Sequence, residues 1–259
     1  KRFSHGLQFL ASYTWAKDLT TIGMATTGGL GGLTFGNTND PKSRYGPEYF
    51  VRPQRLVISY IYDLPKPKNM NSLVGKVLGG WQVAGVTTYQ SGRPLVFTEF
   101  NENNITGFGF VDIPQLGPGC SPNQGSLVTH GSIQSKLNNY FATNCFVPQR
   151  VIGDPEAPLF PGACGAAATC PQATDFGNVK VGSARGPGQG NWDISIIKKI
   201  PFNWPTEGSN VEFRAELFNA FNHPQFSDPD TEVTDSTFGF IGNTNVNPRV
   251  VQFALRLNF

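Results

Sequence analysis

At 259 residues the chain can hold one large all-β domain or two ordinary ones, with a substantial core in either case. Lys plus Arg is 20 and Asp plus Glu is 18, a formal charge of +2 that is too balanced for a nucleic-acid-binding surface or a polybasic membrane patch. The 30 glycines, 20 prolines and 21 phenylalanines, set against two methionines, fit many strands and long irregular loops better than helices.

Six segments alternate with period 2, the signature of strands with one apolar and one polar face. In the first, Leu7, Phe9, Ala11, Tyr13 and Trp15 oppose Gln8, Leu10, Ser12, Thr14 and Ala16. The second sets Leu56, Ile58, Tyr60 and Tyr62 against Val57, Ser59, Ile61 and Asp63. A third starts at Gly79, with Trp81, Val83 and Tyr89 opposite Gln82, Ala84, Thr88 and Gln90; Pro94 marks a kink or an edge-like extension. The fourth puts Trp192, Ile194, Ile196, Ile200 and Phe202 opposite Asp193, Ser195 and Lys199. The fifth places Val211, Phe213, Ala215, Leu217 and Phe221 against Glu212, Arg214 and Glu216. In the sixth, Val251, Phe253, Leu255, Leu257 and Phe259 alternate with Gln252, Ala254, Arg256 and Asn258.

The connections between these segments alternate too: about 17–53 is long, 65–78 short, about 100–190 very long, 203–209 short and 223–248 long. A strictly up-and-down antiparallel sheet with all its large loops at one end produces this pattern. The fold class expected is therefore all-β: a segment of about six strands from a transmembrane β-barrel, with long extracellular loops and short periplasmic turns. No run approaches the ~20 consecutive apolar residues of a spanning helix, and the N-terminal KRFSHGLQFLASYTW lacks a signal-peptide layout. Because the chain starts at Lys1, it is expected to be processed or part of something longer, and six strands, fewer than the smallest membrane barrel, favour the second.

On this threading Tyr60, Tyr62, Trp81, Phe202, Phe213 and Phe259 fall near the periplasmic ends and Tyr13, Trp15, Tyr89, Trp192 and Phe221 near the external ends. Two aromatic girdles result, although aromatics lining an ordinary core would give similar spacing. Lys198 shares the parity of Ile196 and Ile200 and should face lipid, so it is expected either to snorkel to the periplasmic headgroups or to sit at a bulge.

The segments LASYTWAKDL, RLVISYIYDLP, LGGWQVAGVTTYQSGRP, NWDISIIKKIPF, VEFRAELFNAFNHPQF and VVQFALRLNF together resemble the C-terminal part of the barrel of TonB-dependent outer-membrane receptors. The resemblance is to the Oar-like group, which carries a carboxypeptidase-regulatory-like domain at its N-terminus. It covers the strands and loop flanks but not the bulk of the loops. The resemblance implies a roughly 22-stranded barrel plugged by a separate domain, of which residues 1–259 would form the last quarter of the wall. The implied partners are outer-membrane lipid, the barrel-assembly machinery, the rest of the barrel with its plug, and the TonB system through an N-terminal part. The terminal Val251, Phe253, Leu255, Leu257 and Phe259 would form the signal read by the assembly machinery.

Cys120, Cys145, Cys164 and Cys170 all lie in the longest loop, without C-x-x-C spacing and with only His130 nearby, so disulfides are favoured over zinc. Of the three connectivities, Cys164 with Cys170 and Cys120 with Cys145 is preferred. GSARGPGQGN at 182–191 lacks the Lys-Ser/Thr of a phosphate loop and leads into a strand, so it reads as a flexible hinge. His5, His130 and His223 stand in no catalytic motif, and His223 before Pro224 suits a turn. Glu212, Arg214 and Glu216 form a charged row expected to face the lumen, a solvated interior or a contact for plug or solute. The expected function is energy-coupled solute uptake, with surface adhesion as the alternative. No catalysis and no cofactor are expected.

Overall fold

The computed structural model describes residues 6–21, 40–65, 73–100, 111–121, 127–148, 176–202, 204 and 206–259. Six long strands carry the architecture: β1 (Leu7–Trp15), β2 (Gln54–Asp63), β3 (Trp81–Gln90), β4 (Gln189–Pro201), β5 (Asn210–Phe218) and β6 (Val250–Asn258). Each is antiparallel to its predecessor, and they form one sheet in chain order. This is the expected meander, and it is open: β1 and β6 are its two edges. Six two-residue strands make three small ladders outside the sheet, Leu19–Thr20 with Gly46–Pro47, Glu99–Phe100 with Val111–Asp112, and Gln115–Leu116 with Phe146–Val147.

The register carries each apolar set onto the next. One row runs Phe9, Tyr60, Gly85, Ile194, Leu217, Val251, and the adjacent row Leu7, Tyr62, Val83, Ile196, Ala215, Phe253. The other face aligns Ser59, Val86, Asp193 and, one row on, Ala84, Ser195, Glu216 and Gln252. Since a slip of one residue would invert a strand, this agreement over six strands fixes the two faces. The apolar face stays uncovered, with Tyr13, Trp15, Phe253, Leu255 and Leu257 all exposed.

The short connection before β3 ends in a helix, α1 (Leu73–Leu78), where the sequence pattern marks only a turn. Gly80 follows at φ +71°, and a Cβ there would run into the Lys199 carbonyl oxygen of β4, so this tight turn suits glycine alone.

The buried apolar core lies in the loops. Leu95, Phe97, Ile113, Leu127, Phe141, Phe146, Val179, Val233, Phe238 and Ile241 form one cluster, and every member comes from the connections after β3 and after β5. Phe97, Phe141, Phe146 and Phe238 pack ring against ring at centroid separations of 4.5 to 6.3 Å. The described parts of the connections after β3 and β5 thus fold into a layer at one end of the sheet. β3 extends into that layer beyond Pro94, which bridges Arg185, while Leu95 N donates to Ala184 O at 3.0 Å. The stretch around 182–186 is correspondingly no flexible hinge: Ser183 and Ala184 are buried against this extension.

Candidate functional site: the polar face and its loop layer

Two neighbouring strands, β4 and β5, build an ionic row on the polar face. Arg214 on β5 stands between Glu212 and Glu216 on the same strand face, where period 2 places residues i and i+2 side by side. Its Nη2 donates to Glu212 Oε1 at 2.9 Å and its Nη1 to Glu216 Oε1 at 3.4 Å. Lys199 of β4, paired opposite Glu212, brings its Nζ to 3.7 Å from the second oxygen of that carboxylate. The structure therefore brings together all three charged residues expected to form the row and adds Lys199. Glu212 is buried, so its charge rests on these two cations.

Toward the loop end the same face carries Asp193. Its Oδ1 accepts from Asn191 Nδ2 at 3.0 Å and from the backbone N–H of Asn219 at 2.9 Å. Between Asp193 and the ionic row lies a depression of about 320 Å³ whose lining includes Ser59, Ala84, Val86, Asp193, Ser195 and Glu216. Small side chains on three adjacent strands leave this space open.

The loop layer is tied to the strand ends by side chains that the alternation pattern does not mark. Asn219 and Asn222 adopt φ of +50° and +52°, a conformation asparagine tolerates better than most residues. Asn219 Oδ1 accepts from His223 N at 2.9 Å while its Nδ2 donates to His223 O and Asn247 O. His223 accordingly occupies a turn, as expected from its place before Pro224. Gln225 is fully buried and clasps Gly190: its Oε1 accepts from Gly190 N at 2.7 Å and its Nε2 donates to Gly190 O. The only sequence signal for this bracket was the density of amide side chains in FNAFNHPQF.

Charge converges where β2, β3 and the last loop meet. Arg93 Nε pairs with Asp228 Oδ2, and Arg52 Nη1 donates to Ser91 O at 2.8 Å. Burial pulls the Arg52 guanidinium below its ordinary value, Asp228 opposes that, and Arg93 and Arg55 reinforce it. Tyr140, whose hydroxyl donates to Arg185 O at 2.9 Å, has its pKa pushed up to about 12 by burial and by the charge of Asp228.

Cys120 and Cys145 form a disulfide across 25 residues of sequence, with Cys145 inside the loop core. Cys164, Cys170 and His5 lie outside the described residues. His130 is exposed, and among the described residues no group of His, Cys, Asp and Glu could hold a metal. Val251, Phe253, Leu255 and Leu257 line the outer face of the edge strand β6, and Phe259 is exposed just beyond it.

Lys198 keeps the parity of the apolar face, opposite Trp81 on one side and Phe213 on the other, so no bulge turns it. Its ammonium instead reaches carbonyls of the last turn of α1, Lys76 O at 2.8 Å and Val77 O at 3.0 Å, and Gly79 O just after the helix. It lies 5.2 Å from the Trp81 ring centroid, and Trp81 Nε1 donates to Val77 O at 2.9 Å. The charge is thus satisfied by backbone carbonyls at the turn end of the sheet, an outcome that differs from both the headgroup contact and the bulge that were expected.

A sheet whose uncovered face is apolar, whose other face holds linked charges, and whose long connections all leave and re-enter at one end is the wall of a membrane barrel. The family model of the outer membrane beta barrel domain matches residues 1–252, and the chain belongs to that family. Its place is the bacterial outer membrane, where barrel walls turn an apolar face to lipid and a polar face to the lumen. Neither the curated proteins nor the solved structures gave a match.

Proposed function

We propose that this wall belongs to a TonB-dependent receptor of the Oar-like group, which takes up a solute captured by the external loops. The observation that carries the reading is the open sheet. With β1 and β6 as edges, rows of backbone N–H and C=O would face hydrocarbon unpaired, each costing several kcal/mol. The wall therefore continues into further strands of a larger barrel. The strand motifs that resemble such receptors, and the lumen-facing row Glu212, Arg214 and Glu216 as a contact for a plug, supply the rest. The assembly machinery is the partner assigned to Val251, Phe253, Leu255, Leu257 and Phe259. No catalytic role is assigned.

The test is capture of the complete receptor, purified from outer membranes, by an immobilised periplasmic domain of TonB. Retention that is lost on removing the receptor's N-terminal part supports uptake. Failure to bind overturns it in favour of surface adhesion, the reading that the folded, disulfide-linked loop layer favours.

A further inference from the structure

The helix α1 sits on the lipid side of the wall. Its carbonyls at Lys76 and Val77 are held by Lys198 and Trp81, and both of those residues belong to the apolar face at the turn end. Gly75 in the helix and Gly79 just after it are buried, small residues that permit close approach. The helix also carries Val74, Val77 and Leu78 at spacing i, i+3 and i+4, which are 63%, 56% and 57% exposed. Three aliphatic side chains thus point away from the protein, with the exposed Lys76 beside them.

We propose that α1 is an interfacial anchor whose Val74, Val77 and Leu78 enter the periplasmic leaflet of the outer membrane, the occupant being phospholipid. The argument is continuity. The helix adjoins, through Lys198 and Trp81, the turn end of an apolar face already assigned to lipid, the level at which headgroups and acyl chains meet. Lys198 is then no defect in the apolar band. It clamps the helix C-terminus, where a cation complements the carbonyl dipoles, and holds the apolar side of the helix in register with the bilayer surface. Lys76, near the headgroups, suits the anionic lipid of that leaflet.

The experiment places a single fluorophore on Val77→Cys or Lys76→Cys in the complete protein, reconstituted in phosphatidylethanolamine and phosphatidylglycerol vesicles. Acyl-brominated lipid and aqueous iodide are the quenchers. Heat-modifiable migration on gels confirms that each variant is folded, and both changes lie at exposed positions. The proposal expects bromolipid quenching at 77 severalfold stronger than at 76, with iodide reversing the order. It further expects Lys198→Met to reduce the bromolipid quenching at 77 by releasing the helix. Strong iodide quenching at 77 without bromolipid quenching overturns the proposal, because the helix then faces water. Protection from both quenchers also overturns it, because a protein then covers the patch. Quenching at 77 that is unchanged by Lys198→Met overturns the clamp.

Discussion

The ring of Tyr60 lies across Gly85 on the neighbouring strand, so close that a Cβ at Gly85 would meet Tyr60 Oη and Cζ at 2.6 and 2.7 Å. Tyr89 lies in the same way beside Gly190, its cross-strand partner, and stacks edge-on against Trp192 at 5.3 Å. A glycine in a strand leaves backbone bare, and in lipid a ring laid over it shields the ladder. Gly85→Val must displace Tyr60, and overpacking of this kind costs about 1–3 kcal/mol. The urea midpoint of the vesicle-embedded protein should fall accordingly. Tyr60→Ala should fall too, whereas Tyr60→Phe, which keeps the ring, should lie near wild type.

Glu212 supplies the second prediction. Its two cationic neighbours differ, Arg214 being hydrogen-bonded at 2.9 Å and Lys199 standing at 3.7 Å. Arg214→Met leaves a buried carboxylate with the weaker partner and is expected to cost about 1–3 kcal/mol. Lys199→Met, with half its side chain in solvent, should cost well under 1 kcal/mol. Denaturant titration of both variants decides, and equal costs would mean that Arg214 does not hold the row together.

The strands and their faces were legible because pleating forces period 2 on any sheet with one oily side, and the pattern needs no distant information. The loop layer was not legible. Thr98 bonds Glu232 across 134 residues and Phe97 packs on Phe238, contacts that leave no local periodicity. The same holds for Lys198. Its parity predicted a problem, but its ligands are backbone carbonyls, which carry no residue-specific mark. Of the expected ionic row, each member could be named because all three lie on one strand. Lys199 joined it only through the pairing of β4 with β5.

The Cys120–Cys145 bridge closes a loop whose ends are 25 residues apart, and loop-closure entropy assigns it about 3.5 kcal/mol. Because both residues belong to the loop layer, reduction should loosen that layer and leave the sheet intact. Limited proteolysis after reduction should therefore release fragments from the connections after β3 and β5, while heat-modifiable migration of the barrel persists. Loss of both together would show that the wall depends on its cap.

Tyr140 gives the loop layer a pH dependence. Its folded pKa of about 12 lies above the ordinary 10.0, so the neutral phenol is favoured in the folded state. The contribution is complete below pH 10.0, declines as the unfolded chain ionises, and is gone once pH passes about 12. Protease resistance of the loops should fall across that window. Tyr140→Phe should flatten the decline while also losing the hydrogen bond to Arg185 O. An identical alkaline profile in the two proteins would remove Tyr140 as its origin.

Phe253 distinguishes a lipid-facing wall from an ordinary exposed sheet. The side chain is 69% exposed and stacks on Phe213 at 6.0 Å, while its neighbour Gln252 points to the polar face beside Glu216. If water covered the apolar face, Phe253→Arg would cost little beyond the lost stacking, since an exposed ring exchanged for a charge improves solvation. Against hydrocarbon the same change costs about 2–4 kcal/mol at the midplane, whereas Gln252→Arg on the lumen side should cost less than 1 kcal/mol and gain a partner in Glu216. Equilibrium unfolding in phospholipid vesicles compares the two. A larger cost for Gln252→Arg than for Phe253→Arg would reverse the two faces of the sheet, and every lipid contact assigned to the outer one would move with it.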